Sequence, residues 1–363
     1  MPRISVLIPT YNRDRYLIEA IRSVEAQTSR DWEMVVADDG STDDTRRVVE
    51  AFGGAVRYLY QQNQGVSAAR NLAFRESSGE YVVFLDSDDY LLPNALADLS
   101  AALDSDRNCD VVYSDGFVVD DGGARLAAIS DYSPRPFDDT IGSFIVGNPL
   151  GLHGTMFRRS ALMRVDGPFD EQMLGYEDWD MLMRLKASDG IFCFLPVRTA
   201  CYRFHGGNKS APKSSLAEKR RLSLIRSRQN AMDAPWFAGL PLATKQTFFA
   251  ELLTRTLNGD RPRQRAVASL HAFRSLPDKV RSGLLYRLAV SNILATGAQR
   301  EDRKAVVTTI RLDPLNLKAY PLLALLLIGN GLPEKALSRW RKAHSAADPT
   351  DPVTQILRSK NVA

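Results

Sequence analysis

Cysteine, histidine and long apolar runs are all scarce in this 363-residue chain, and each shortage argues against a class of protein. The three cysteines, Cys109, Cys193 and Cys201, are odd in number and lack C-x-x-C spacing. They indicate neither a disulfide framework nor a zinc ribbon, and a reducing cytoplasm is the simplest setting. Met1-Pro2-Arg3 leads straight into a strand-like run, so no secretory leader is expected. The longest apolar stretch, Tyr320 to Ile328, is far shorter than the roughly 20 residues that cross a bilayer. Charge is plentiful but unevenly placed. Residues 213–363 hold 26 Lys and Arg against 11 Asp and Glu, net +15, whereas residues 1–212 hold 21 against 32, net −11. An acidic part suits a metal and a basic part suits an anionic surface, so the two are expected to have different partners.

The acidic part alternates strand and helix signals. Ile4 to Pro9 is a β-branched apolar run of the kind that forms a buried parallel strand. Leu17, Ala20, Ile21 and Val24 then recur at helical spacing, with Asn12 or Asp14 available as a cap. Strands are predicted over Trp32 to Ala37, Val56 to Tyr60 and Tyr81 to Leu85, with helices over Thr42 to Phe52 and Val66 to Glu76. This order implies an α/β fold with an open, mostly parallel sheet and helices on both faces. Ligands of such sheets lie beyond the carboxyl ends of the strands. Thr10-Tyr11-Asn12, Asp38-Asp39-Gly40-Ser41 and Asp86-Ser87-Asp88-Asp89 each follow a strand, so three loops converge on one rim.

In Asp86-Ser87-Asp88 two carboxylates fall on one side of an extended chain. Mn2+ or Mg2+ prefers such hard oxygen ligands and is commonly completed by phosphate and water, which makes a diphosphate the natural complement. A solvated acidic turn is the alternative for an isolated motif of this length. The context comes from Ile4 to Arg13, Asp38 to Ser41, Asn63-Gln64-Gly65 with Ala69-Arg70-Asn71, and Asp86 to Asp89. With Gly175-Tyr176-Glu177-Asp178-Trp179-Asp180, Arg184 and Tyr202 to Asn208, these segments resemble, in order, the family 2 inverting glycosyltransferases of GT-A fold.

The resemblance covers about residues 3 to 210 and implies roles for particular side chains. Thr10, Tyr11, Asn12 and Asp39 would hold the nucleotide, with Tyr11 stacking on the base and Asp39 accepting from it. Arg70 would reach the base or diphosphate, Asp86 would bind ribose or a metal-bound water, and Asp88 would ligate the metal. Asp178 matches the general base. Glu177, Trp179 and His153 fall on the acceptor side, and His205 lies where a residue can reach the metal or diphosphate. The simpler readings are that Tyr11 fills the core, that Asp39 caps a helix and that His205 is an ordinary histidine. Asp180 is expected to pair with Arg184 across one helical turn. Gly206 to Ser210, with Lys209, reads as a flap. The donor implied is a UDP-, GDP- or dTDP-sugar and the acceptor a glycan or lipid-linked hydroxyl. The implied setting is cell-surface polysaccharide or glycoconjugate assembly on the inner face of the membrane.

From Pro212 onward the pattern turns helical, so a catalytic domain over 1–212 and a basic helical domain over 213–363 are expected. Prolines at 235, 241, 262 and 277 mark helix breaks, and 305–343 resembles a tetratricopeptide-type hairpin. Residues 213–287 carry 15 Lys and Arg against five Asp and Glu, which suits peripheral contact with anionic lipid. Packing on the acidic domain or forming a homo-oligomer would use the same charge. Nucleic acid is disfavoured because no binding motif accompanies it. Two rivals remain: a nucleotidyltransferase, which would want a Gly-rich, Lys-containing loop where Pro9 to Arg13 stands, and an inactive nucleotide-sugar-binding or scaffold protein, which would have lost Asp86, Asp88 or Asp178.

Overall fold

A computed structural model describes residues 2–319 apart from 134, 166, 208–216, 258–259, 297–299 and 317–318. The chain divides between Ser227 and Arg228 into two compact units. In the first, strand β1 (Ile4–Thr10) is buried along its whole length. It lies parallel to β2 (Trp32–Asp38) on one side and β4 (Tyr81–Phe84) on the other, and β3 (Arg57–Tyr60) extends the parallel set beyond β2. A strand buried on both faces must be apolar throughout rather than alternating, which is why the run from Ile4 to Ile8 carries no charge.

Helix α1 (Asp14–Glu25) buries the face that the sequence spacing marks, Leu17, Ala20, Ile21 and Val24. Its start differs from expectation, because neither Asn12 nor Asp14 caps it. The Asn12 carboxamide instead accepts from the backbone N–H of Thr42 at 2.8 Å, and the Asp14 carboxylate accepts from the adjacent Arg15 N–H at 2.7 Å. Helices α2 (Thr45–Glu50), α3 (Val66–Arg75) and α4 (Ala95–Ser105) follow between the strands. Val6, Ile8, Val36 and Val83 meet Leu17, Ile21, Leu96 and Leu99 in one core.

Beyond β4 the sheet becomes mixed. Its order is β3-β2-β1-β4-β8-β6-β9-β5, with β5 (Tyr90–Leu91), β6 (Val111–Val119), β8 (Thr155–Arg158) and β9 (Phe192–Arg203), while β7 (Arg125–Ala128) pairs with β6. β8 runs antiparallel to both β4 and β6, and β9 runs parallel to β6. The parallel character read from the N-terminal strands therefore holds for that half only. The β6–β9 register sets Val112 opposite Cys193, which brings Cys193 to Cys109 just ahead of β6. The two form a disulfide with Cα atoms 6.1 Å apart, leaving Cys201 as the free, buried thiol. This corrects the expectation of unpaired cysteines and removes the cysteine argument for a reducing compartment. Spacing gave no sign of the pair, because a strand pairing across 84 residues creates it.

The remaining helices of the first unit are α5 (Ile141–Val146), α6 (Arg159–Arg164) and α7 (Glu177–Ala187). Helix α8 (Ala217–Asp233) spans the unit boundary. Its first half is tied to the first unit, with Ser223 Oγ accepting from Leu174 N–H at 2.8 Å and Arg226 Nε donating to Asp170 at 2.6 Å. The second unit continues with α9 (Pro235–Gly239), α10 (Leu242–Ala250), a π-helical turn at Glu251–Thr256, α11 (Arg261–Ser269), α12 (His271–Arg274), α13 (Asp278–Thr296) and α14 (Arg300–Leu312). Pro241 and Pro277 stand just before a helix start, and Pro235 and Pro262 in the first two residues of a helix, where the missing N–H costs nothing. Phe237, Phe248, Phe249 and Phe273 stack edge to face in the core. Gln264 and Asn292 exchange two buried hydrogen bonds of 3.0 Å. The hairpin expected over 305–343 is described only through α14 and the turn after it; the rest lies outside the described residues, as do Asn208 to Ser210 of the expected flap. Among the described residues no helix is long and apolar enough to cross a membrane.

Gly79, in the turn into β4, has no room for a side chain. A Cβ there would lie 2.6 Å from both Ser5 N and Ser5 Oγ, the latter accepting from Gly79 N–H at 2.8 Å. Gly79→Ala is expected to cost about 1–3 kcal/mol by overpacking, read as a lower urea midpoint; a loss under about 0.5 kcal/mol would contradict the close approach.

Candidate active site

The loop after β1 and the loop after β2 are knitted together by short polar side chains. Asn12 adopts φ 50° and receives Thr42 N–H, while Asn12 N–H donates to Ser41 Oγ at 2.9 Å. Asp38 is buried, accepting from Ser41 N–H at 2.8 Å and from Tyr58 Oη at 2.7 Å. Asp39 accepts from Gln61 Nε2 at 2.7 Å, Gln64 N–H at 2.9 Å and Gly65 N–H at 2.8 Å. It therefore braces the approach to α3 rather than capping α2. A carboxylate has about four acceptor directions, so one remains for a ligand N–H. Thr10 is buried beneath this turn, and its carbonyl receives Asp39 N–H at 2.9 Å. Tyr11 is 47% exposed, which excludes it from the core and leaves its ring face open at the rim.

Arg70 projects from α3 into the centre of the rim and is only 4% exposed. Its Nη2 donates to Asp86 Oδ1 at 2.6 Å and its Nη1 to Glu177 Oε1 at 2.9 Å, with Phe169 under the guanidinium at 5.1 Å. Asp86, expected at ribose or metal, is thus turned partly to this arginine. Glu177, expected at the acceptor, is buried against it.

Asp88 lies on the other side of the same loop, its Oδ2 3.1 Å from His205 Nε2. His205 is buried, stacked on Tyr16 at 4.8 Å, and its Nδ1 accepts from Gly207 N–H at 3.1 Å. An accepting Nδ1 assigns the proton of the neutral ring to Nε2, which donates to Asp88. Arg203, at the end of β9, locks the arrangement. Its N–H donates to Asp89 at 2.8 Å, its Nε to the Asp88 carbonyl at 3.0 Å and its Nη1 to the Asp121 carbonyl at 2.8 Å, and Nη2 pairs with Glu19. Burial beside Asp88 and Asp86 holds the Asp89 carboxyl well above the usual carboxylate range.

Helix α7 starts from a left-handed residue, Tyr176 at φ 61°, and places Glu177, Asp178 and Asp180 in its first turn, where the helix dipole favours anions. Asp178 is half-buried. Its Oδ2 accepts from Asn148 Nδ2 at 2.9 Å and its Oδ1 from Trp179 N–H at 2.8 Å. Burial, reinforced by Glu177 and opposed by Arg70, pushes its carboxyl up to about 6. Asp180 pairs with Arg184 Nε at 2.8 Å, the expected turn-spanning contact. Trp179, expected on the acceptor side, is 9% exposed, and its indole N–H donates to the Phe144 carbonyl, fastening α7 to α5. His153 sits 5.1 Å from Tyr202 and is pushed down to about 4 by burial and by Arg135, so at neutral pH it offers only an uncharged ring.

The structure brings Arg70, Asp86, Glu177 and Asp178 together on one side of the loop after β4, and Asp88 and His205 on the other. Among the described residues no three His, Cys, Asp or Glu side chains form a metal cage. Asp88 and His205 would fit a hard divalent cation that takes one or two protein ligands and completes its shell with phosphate oxygens, provided the His205 proton moves from Nε2 to Nδ1 and the Gly207 N–H contact is released. Three residues were not marked by motif: Arg203, Asn148 and Phe169. Only Arg203 lay within a quoted segment, and nothing in its spacing signals its partners.

Residues 5–165 match the sequence profile of Glycosyl transferase family 2. An uncharacterized glycosyltransferase of Nostoc sp., alr2836, is 30% identical over 227 residues, covering 60% of this chain and 69% of that protein. Chondroitin synthase of Escherichia coli is 29% identical over 230 residues, 62% of this chain but 32% of the synthase. The chain thus spans only a third of that relative's length. Among solved structures, S. aureus TarS 1-349 superposes with a TM-score of 0.58 at 21% identity, covering 88% of this chain and 91% of the TarS 1-349 chain; that TarS fragment has also been solved in complex with UDP-GlcNAc. The chain belongs to glycosyltransferase family 2, and its first unit has the GT-A type of fold.

Arg70→Met would leave two carboxylates facing each other without their cation. Breaking a buried pair of this kind costs about 3–5 kcal/mol, and adding Glu177→Gln should restore part of it; urea unfolding of both variants measures the coupling. Equal stability of wild type and Arg70→Met would refute the bridge.

Proposed function

We propose that the protein is an inverting glycosyltransferase that moves a sugar from a nucleoside diphosphate donor to an acceptor hydroxyl. The observation that carries this reading is the geometry of Asp178, a half-buried carboxylate in the first turn of α7, held by Asn148 at 2.9 Å next to the Arg70–Glu177 pair, with burial raising its carboxyl to about 6. An effective general base at neutral pH needs that poise. In one in-line displacement, Asp178 takes the acceptor proton as the acceptor oxygen bonds to the anomeric carbon and the bond to the diphosphate breaks. Asp88 and His205 would hold Mn2+ or Mg2+, which neutralises charge on the departing diphosphate. Tyr11 offers a stacking face and Asp39 its remaining acceptor direction to the base, with Thr10 and Asn12 shaping the turn between them. Arg70 keeps Asp86 and Glu177 in place beside that path.

A UDP-sugar is favoured as donor by the TarS complex with UDP-GlcNAc, and a glycan as acceptor by the likeness to chondroitin synthase. Both point towards cell-surface polysaccharide or glycoconjugate assembly, with the protein acting at the cytoplasmic face of a membrane. The retained Asp86, Asp88 and Asp178 speak against an inactive binding protein.

Two measurements test the reading. Asp178→Asn should lower kcat for nucleoside diphosphate release from a UDP-sugar and acceptor by about 10²–10⁴, with donor KM little changed. Because the base works ionised, wild-type kcat should rise with pH through about 6 and level off above it. Undiminished turnover in Asp178→Asn, or a profile flat down to pH ~5, would assign the base elsewhere. Asp88→Ala should abolish the Mn2+ dependence of donor binding by calorimetry.

A further inference from the structure

The described part of the second unit contains a cavity of about 370 Å³ bordered by α11, α12, α13 and α14, within the size range of small-molecule clefts. Its floor is apolar, with Phe273, Leu285 and Leu288 each less than a tenth exposed. Its rim is basic, with Arg265, Arg274 and Lys304 exposed around the opening. The one carboxylate in the lining, Asp302, is buried and already bound by Arg261 at 2.9 Å. Among the described residues neither Arg274 nor Lys304 has an ion-pair partner. Arg281, paired with Asp278 through Nη2, keeps a buried Nε with no hydrogen-bond partner.

Apolar floor and cationic rim call for a ligand with matching halves. Hydrocarbon is driven onto the floor by loss of water, and guanidinium and ammonium groups favour phosphate oxygens. A free anion would satisfy the rim and leave the floor wet; a neutral lipid would do the reverse. We propose that this cavity binds a phosphorylated lipid, its aliphatic chain against Phe273, Leu285 and Leu288 and its phosphate between Arg274, Lys304 and Arg281. The site is separate from the transferase centre and stands or falls without it. Residues 228–287 hold ten Lys and Arg against four Asp and Glu, an excess that would draw the unit to the anionic surface where such a lipid resides.

The test is calorimetry on the full chain with decyl phosphate, octyl phosphate, inorganic phosphate and decanol. Decyl phosphate should bind saturably with one site per chain, and octyl phosphate, two methylenes shorter, should bind about fifteenfold more weakly, since each buried methylene is worth roughly a factor of four. Inorganic phosphate and decanol should each be at least about a hundredfold weaker. Arg274→Glu/Lys304→Glu, both on the surface, should weaken decyl phosphate about tenfold or more with an unchanged circular dichroism spectrum; Leu288→Trp, filling the floor, should weaken it without altering the rim. Inorganic phosphate binding as tightly as decyl phosphate would show an anion site only and overturn the proposal. So would the absence of saturable binding, indifference to the charge reversal, or self-association of the chain that buries the cavity without ligand.

Discussion

The Arg70 guanidinium, buried on α3 with Asp86 on one nitrogen and Glu177 on another, is the charge to which the loop after β4 and the start of α7 are fixed. A buried ion pair seldom adds net stability against an apolar replacement, because removing three charges from water is costly. Its value here is positional. Helix α7 lies more than a hundred residues from α3 in the chain, yet its first turn must meet the loop after β4 in one orientation. A planar cation bonded to both from different nitrogens allows very little else.

A second arginine does the same for the opposite side. Arg203 gathers the carbonyls of Asp88 and Asp121 and the carboxylate of Asp89 at the end of β9, and the residue two positions on is His205, whose ring meets Asp88. The acidic loop after β4 is thus gripped from both ends by buried cations, while the groups facing outward, Asp178 and the free edge of Asp88, stay open to a ligand. Burial raises the Asp89 carboxyl, and the neighbouring carboxylates of Asp88 and Asp86 raise it further by repulsion.

What could be read from the sequence was what is local. Leu17, Ala20, Ile21 and Val24 announce a helix face by spacing alone, and Asp180 finds Arg184 because one turn brings them together. The rim followed from strand ends, and the identity of its residues from family resemblance. Contacts made across the chain were not legible. Asn148 reaches Asp178, Cys193 reaches Cys109, and Asn12 serves a neighbouring loop rather than its own helix, each because strand order and register set residues side by side that are far apart in the chain. The burial of Trp179 was not legible for a related reason: on a helix start, adjacent residues point in directions about 100° apart, so the neighbour of the half-buried Asp178 is readily a core residue.

Burial pushes the carboxyl of Asp178 up, with Glu177 adding to the rise and Arg70 opposing it, and these last two groups are themselves bonded to each other. The proton affinity set by burial is therefore trimmed by a pair lying beside it. A protein made this way can be retuned to a more acidic or more alkaline surrounding by exchanges in its interior, leaving the surface that meets donor and acceptor untouched.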